Sequence, residues 1–191
     1  MKNRTVVFLA GFVIGIVALV AGGLLYARAG MINPRADIPV PSLEENIAMK
    51  SLDASLDRRA PDIKNPVTAD DTQLAAGMKL YQSNCAGCHG DIVHPESPMA
   101  KTLYPRAPQF QKEKPDMPDN QNFYLIKHGM RYSGMPAWER SMTDGQTWQV
   151  VTFLSHMDKL PSRLQEQWRA QAHKKFEGQG RYLITKEVNS K

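Results

Sequence analysis

The chain opens with one long apolar segment and continues with shorter amphipathic ones. No charged residue occurs from Thr5 to Ala27. A membrane-spanning helix needs about 20 mainly apolar residues, whereas the apolar part of a signal peptide has about 7–15. The pattern therefore predicts a transmembrane anchor over residues 1–28. Ala27-Arg28-Ala29 also resembles a signal-peptidase site, so a signal peptide cleaved after Ala29 is the alternative.

Residues 29–66 are predicted to be a linker that contains one amphipathic helix. Prolines crowd the stretch from Asn33 to Pro41, which is typical of a linker. Ser42 and Glu45 have the spacing of a capping box, so we expect a helix from Ser42 to about Asp57. One face of this helix is apolar, and it is expected to pack on the chain's own domain. The apolar positions are Leu43, Ile47, Leu52 and Leu56.

A domain over residues 67–160 is predicted to be built from three helices and a long loop. The first helix starts near Asp70 and leads into Cys85. Six prolines make the stretch from His94 to Pro118 an irregular loop. A short helix over residues 122–128 is ended by Gly129. A last helix starts at a capping box formed by Thr143 and Gln146, which lie three residues apart.

No strand pattern of any strength occurs, so the predicted fold is mostly α. Residues 161–191 hold seven Lys and Arg against three Asp and Glu, which makes them a basic C-terminal tail. The tail and the N-terminus account for the net charge of +5. No nucleic-acid-binding motif accompanies this charge, so a role with nucleic acid is not supported.

The segment Cys85-Ala86-Gly87-Cys88-His89 has the spacing C-x-x-C-H, which is the attachment site of a c-type haem. In a helical turn, positions i, i+3 and i+4 share a face, so the two thiols and the imidazole reach one edge of one macrocycle. The thiols add to the vinyl groups, and the imidazole coordinates the iron. A redox dithiol or half of a zinc site has the same cysteine spacing, but the chain has no other cysteine to complete a zinc site.

A second axial ligand is expected in the segment Ser133-Gly134-Met135-Pro136-Ala137-Trp138. Met135 offers a soft thioether sulfur, and Pro136 restricts its backbone to extended conformations. Met/His ligation raises the reduction potential of a haem. Met130 is the rival methionine, and His128 is a rival of another type, for which a surface role is an equal explanation.

The C-A-G-C-H-G motif, the G-M-P-A-W segment and a C-terminal helix that carries Trp148 together resemble a class I cytochrome c over residues 72–160. The resemblance implies one covalently bound haem c, with thioether bonds to Cys85 and Cys88. It also implies that His89 and Met135 ligate the iron.

The same resemblance suggests contacts around the haem. Pro108 matches the proline whose carbonyl accepts the Nδ1–H of the proximal histidine. Gly77 and Tyr81 match positions that pack against the last helix, near Val151 and Leu154. Tyr104 and Trp138 are further candidates, for hydrogen bonds to a haem propionate, with ordinary packing as the alternative.

The expected function is to carry single electrons, without enzymatic chemistry. The basic start of the chain favours the cytoplasmic side, which leaves the haem domain in the periplasm of a bacterial inner membrane. Membrane redox proteins are the expected partners, and the chain either stands alone or is a subunit of a respiratory complex. The alternative is a haem-based gas sensor or ligand-binding protein in which Met135 is displaced. A peroxidase-like enzyme would need an open distal site.

Overall fold

The structure is a computed structural model that describes residues 2–173. It divides into two compact units, the first ending at Arg35 and the second beginning at Ala36. The first unit contains helix α1, Lys2–Arg28. Its segment Asn3–Arg28, 26 residues long with a mean hydropathy of 2.6, is long and apolar enough to cross a membrane. A signal sequence has the same properties, so the length of α1 alone leaves the cleavage alternative in place.

The second unit is built from helices and irregular loops. No strand occurs anywhere in residues 2–173, and the prediction of a mostly α fold is confirmed. The helices are α2 Ser42–Arg59, α3 Asp71–Asn84, α4 Ala86–His89, α5 Asp119–His128, α6 Asp144–His156 and α7 over residues 162–173, with a 3-10 helix at Pro98–Thr102 between α4 and α5.

The ends of three helices follow from local hydrogen bonding. At the start of α3, Asp70 Oδ1 accepts the backbone N–H groups of Thr72 and Gln73, each at 2.9 Å. These bonds favour the carboxylate, and the one from Gln73 contributes most to lowering the pKa of Asp70. The predicted capping box at Thr143 is present at the start of α6. Gly129, with φ of 67°, ends α5 in the left-handed region that glycine tolerates.

Helix α2 starts where it was predicted to start, but for a different reason. Pro41 is the N-cap, and it has no side-chain hydrogen bond to offer, so the predicted capping box is absent. Only the C-terminal half of the apolar face is covered. Leu56 is 2% exposed, whereas Leu43 is 72% and Ile47 61% exposed. Helix α2 packs against α5, where Gln121 Nε2 donates to Asp57 Oδ1 at 2.9 Å.

The core of the unit forms where α3 crosses α6. Gly77 lies directly against the backbone of α6, because a Cβ at this position would be 2.0 Å from Gln149 O and 2.9 Å from Phe153 Cβ. One turn later the Tyr81 ring lies 5.3 Å from the Phe153 ring. The predicted packing of the first helix on the last is therefore present, with the nearest contacts at Gln149 and Phe153.

Helix α7 extends this core beyond the predicted boundary at residue 160. Leu164, Trp168 and Ala172 are each at most 1% exposed. Their spacing of four residues places them on one helical face, and that face is buried. The tail predicted from residue 161 is therefore part of the folded domain at least to residue 172. The remainder of the predicted tail, residues 174–191, lies outside the described residues.

Replacement of Gly77 tests the α3–α6 crossing. We expect Gly77→Ala to lower the free energy of unfolding by about 3 kcal/mol, because the added methyl group meets backbone atoms that cannot move alone. Gly145→Ala on α6 is the matched control, since the nearest atom to its Cβ is 3.9 Å away. The control should be neutral or more stable by about 0.5 kcal/mol. Thermal denaturation of both variants checks this, and equal melting temperatures would contradict the packing.

Candidate functional site

The C-x-x-C-H motif folds into a single helical turn that continues from α3. Cys85 joins α3 to α4, and its carbonyl oxygen accepts the backbone N–H groups of Cys88 and His89, each at 3.0 Å. We call residues 85–89 the attachment turn. Neither Cys85 nor Cys88 forms a disulfide bond, and both are of intermediate exposure. The turn presents two thiols and an imidazole, the reactive groups that c-type haem attachment requires.

The imidazole of His89 is held by one hydrogen bond and one stacked ring. Its Nδ1 lies 2.9 Å from the carbonyl oxygen of Pro108. Since a carbonyl oxygen only accepts, Nδ1 carries the proton and Nε2 keeps its lone pair. The Phe110 ring is stacked on the imidazole, with centroids 4.4 Å apart and planes within 2°.

Burial of the imidazole lowers the pKa of His89, and the bond to Pro108 opposes part of that shift. The neutral form is the one that ligates a metal. A hydrogen bond at the distant ring nitrogen is also the usual device for orienting a ligating histidine. The local environment of His89 thus suits an axial ligand, with Nε2 as the coordinating atom.

The side chain of Gln109 forms hydrogen bonds with backbone groups in and around the attachment turn. This role was not predicted from the sequence. Its side chain is 0% exposed. The amide nitrogen donates to the carbonyl oxygens of Cys88 at 3.0 Å and Ala107 at 2.8 Å, and the amide oxygen accepts the N–H of Ser97 at 2.6 Å. Nothing in the sequence pattern of a proline-rich loop indicates that one of its polar residues is buried. Its position next to Pro108 was the one available signal.

The segment around Met135 is a short closed loop, residues 130–135, which we call the methionine loop. The backbone N–H of Met130 donates to the carbonyl oxygen of Met135 at 3.1 Å. The Ser133 hydroxyl donates to the carbonyl oxygen of Met130 at 2.9 Å and accepts the N–H of Met135 at 3.1 Å. Met135 is partly buried and packs against the hydrophobic core. These bonds fix the backbone that carries the sulfur.

Leu103 contacts the methionine loop and directly follows the 3-10 helix that packs against the attachment turn. Gly134 lies on the Leu103 side chain, since a Cβ there would be 2.6 Å from Leu103 Cδ2. The 3-10 helix that ends just before Leu103 packs against α4. The Ser97 hydroxyl, which caps the 3-10 helix, donates to the carbonyl oxygen of Gly87 in the attachment turn. The tertiary structure therefore draws the two predicted ligand segments towards one region.

The rival ligands occupy less suitable positions. His128 is exposed at the end of α5, where its Nδ1 is 3.9 Å from Glu139 Oε2 and its ring lies against Tyr124 at 4.5 Å. This is the surface role that was the alternative for His128. Met130 is half-buried at the base of the methionine loop, with no proline after it to restrict its backbone.

The candidates for propionate contacts differ in what they bind. The Tyr104 hydroxyl donates to Glu44 Oε1 of α2 at 2.8 Å, and this bond is the main reason that the pKa of Tyr104 is raised. A propionate contact by Tyr104 stays a prediction, and it requires that bond to Glu44 to break. Trp138 is half-buried and packs against the core, so packing accounts for it without a propionate.

The donor set as a whole fits a c-type haem. It offers two thiols that form no disulfide bond, an imidazole with its Nε2 available, and a thioether on a fixed loop. In residues 2–173, no group of three or more His, Cys, Asp and Glu side chains is placed to hold a metal ion. A haem iron is held mainly by its macrocycle and needs only one protein ligand on each face, so His89 and Met135 would suffice to ligate it.

Comparison with known families supports this assignment. Residues 72–154 match the protein-family model described as "Cytochrome C oxidase, cbb3-type, subunit III". The match runs from the first turn of α3 into α6 and includes the attachment turn and the methionine loop. No curated protein matches the chain. The predicted cytochrome c with an N-terminal apolar helix is confirmed: residues 72–154 form a cytochrome c domain, which supports a haem-containing electron carrier.

Proposed function

We propose that this protein is a membrane-anchored cytochrome c that carries single electrons on the periplasmic side of a bacterial inner membrane. One haem c is bound through thioethers to Cys85 and Cys88, and its iron is ligated by His89 and Met135. The observation that carries the proposal is the 2.9 Å contact between His89 Nδ1 and the Pro108 carbonyl oxygen. That contact leaves Nε2 free on the same turn as two thiols that form no disulfide bond.

The residues of the proposed haem site have separate roles in electron transfer. When bound, the haem iron supplies the one-electron chemistry between its ferric and ferrous states. Pro108 and Phe110 hold His89 in one orientation, which keeps the ligand still when the charge on the iron changes. The thioether of Met135 is soft and neutral, which favours the ferrous state and raises the reduction potential. With His89 and Met135 as its two protein ligands, a bound haem would have no site for a substrate at the iron.

The placement in the cell follows from the first helix. Lys2 and Arg4 precede the apolar run and Arg28 follows it. The basic start favours the cytoplasm, and the domain after the helix then lies on the other side. An anchor confines the carrier to the neighbourhood of membrane redox enzymes. The matched family is a subunit of a cbb3-type oxidase, so a place as the haem subunit of such a complex is one form of the proposal.

Replacement of Met135 tests the distal ligand. We expect Met135→Leu to lose the weak far-red sulfur–iron band of the oxidised protein and to bind carbon monoxide when reduced, because leucine fills the space without a ligand atom. Met130→Leu is the matched control and should keep the band and resist carbon monoxide. Visible spectra of the two oxidised variants, and of the reduced variants with and without the gas, check both expectations.

Three outcomes of this experiment would contradict the assignment. Loss of the band in Met130→Leu alone would make Met130 the ligand. A low-spin wild-type spectrum without the band would favour His128. Ready binding of carbon monoxide by the wild-type protein would favour a gas sensor over an electron carrier.

Covalent attachment is tested at the two thiols. We expect Cys85→Ala/Cys88→Ala to lose all haem on a denaturing gel, because neither thioether forms. Each single variant should retain haem through one thioether, with the reduced absorption maximum shifted towards that of a haem with one free vinyl group. Haem staining and pyridine haemochrome spectra measure this. Haem that stays with the double variant through denaturation would refute attachment at these residues.

The anchor is tested by fractionation. We expect the full chain to stay in the membrane pellet after high-salt and alkaline washes, because α1 supplies a full span of apolar residues. A variant in which residues 1–28 are replaced by a cleavable signal peptide should be soluble in the periplasm. A full chain that is itself soluble, with an N-terminus at Gly30, would show instead that the segment is removed after Ala29.

A further inference from the structure

Helix α7 lies outside the segment that matches the cytochrome c family, yet it supplies a central part of the core. Trp168 is 0% exposed, and it is the largest fully buried side chain in residues 2–173. Burial of a tryptophan is costly unless its indole N–H finds a partner. The partner of the Trp168 N–H is Gln82, which also binds a residue that closely follows the attachment turn.

A buried chain of polar side chains runs from Trp168 to the loop that follows His89. The indole Nε1 donates to Gln82 Oε1 at 2.7 Å, and Gln82 Nε2 donates to Asp91 Oδ2 at 2.9 Å. Gln82 is 4% and Asp91 7% exposed. Fully satisfied polar networks in a low-dielectric interior are rigid, because breaking any one bond leaves a buried group unpaired.

Asp91 uses its other oxygen to close the turn directly after the attachment turn. Asp91 Oδ1 accepts the backbone N–H groups of Val93 at 2.9 Å and His94 at 2.7 Å. The N–H of Asp91 donates back to the carbonyl oxygen of His94 at 2.8 Å. Gly90, which joins His89 to Asp91, has φ of 78° and no room for a Cβ, which would be 2.9 Å from the Pro95 carbonyl oxygen. The backbone that leaves His89 is therefore tightly specified.

Aromatic contacts, which we call the aromatic route, also connect Trp168 with the residues next to His89. The edge of Trp168 meets the Tyr81 ring, with centroids 6.0 Å apart and planes at 86°. The Tyr81 hydroxyl donates to the carbonyl oxygen of Gly90 at 2.7 Å. The Tyr81 ring also lies 6.4 Å from Phe110, the ring that is stacked on His89. The polar and the aromatic route thus converge from Trp168 on the two residues that follow His89 and on the ring that covers it.

We propose that Trp168 is a positioning residue that fixes the turn at residues 90–94 and, through that turn and Phe110, the orientation of His89. Helix α7 is then a brace on the proximal side of the haem, added outside the matched domain. The inference rests on the proposed function in one respect, namely that His89 ligates the haem iron. Partners behind a ligand set its orientation and basicity, so the brace should affect the reduction potential as well as the stability.

The test removes the indole N–H while keeping an aromatic ring. In the haem-loaded full chain, we expect Trp168→Phe to speed hydrogen exchange at the Val93 and His94 amides about tenfold and to shift the reduction potential. Leu56→Ala, on α2, is the control, because Leu56 is as deeply buried at 2% exposure but takes no part in either route. The control should lower the melting temperature without changing exchange at these two amides or the potential.

A second variant keeps the test decisive if Trp168→Phe folds poorly. Gln82→Met preserves the length of the side chain and the packing of Trp168, and it removes both hydrogen bonds of the polar route. It should loosen the same two amides. Unchanged exchange in both variants would overturn the proposal, as would equal changes in the Leu56→Ala control. The haem content and spectrum of the wild-type protein report separately on the proposed function, since the amide measurements follow the turn whether or not His89 is the ligand.

Discussion

At Gly77 the backbone of α3 rests on the backbone of α6, at a distance that leaves no space for a side chain. This close approach brings the Tyr81 ring onto Phe153 and fixes the direction in which α3 ends. The attachment turn follows α3 without a break, so the end of α3 sets where its thiols and its imidazole lie. The crossing of the two helices therefore sets the position of the turn at which we propose that the haem is attached.

The attachment turn is surrounded by loops, and side chains take over the hydrogen bonding that regular structure would provide. Gln109 joins three backbone groups, and Asp91 joins two. In the part of the chain that the structure describes, no buried side-chain nitrogen or oxygen lacks a partner. Loops satisfied in this way are stiff, which suits an electron carrier, because a ligand that moves little when the iron changes charge lowers the cost of the transfer.

The two sides of the proposed haem site are held by different means. On the proximal side, His89 is oriented by the Pro108 carbonyl oxygen and by the stacked ring of Phe110. The Phe110 ring lies near Tyr81, which in turn meets the buried indole of α7. On the distal side, Met135 is held by a small loop closed by Ser133 and by the contact of Gly134 with Leu103. Because His89 and Met135 are held by different contacts, a substitution around one proposed ligand can change its position without moving the other.

The sequence by itself determined the features that depend on neighbours along the chain. The attachment turn needs three residues within one helical turn, and the starts of α3 and α6 need one capping side chain each. The tertiary structure alone decided the contacts between distant residues. Trp168 and Gln82 are 86 residues apart, and Tyr104 and Glu44 are 60 apart. Short-range patterns encode caps and spacing, whereas burial of Gln109 or docking of α7 is decided by which surfaces remain to be covered once the helices have packed.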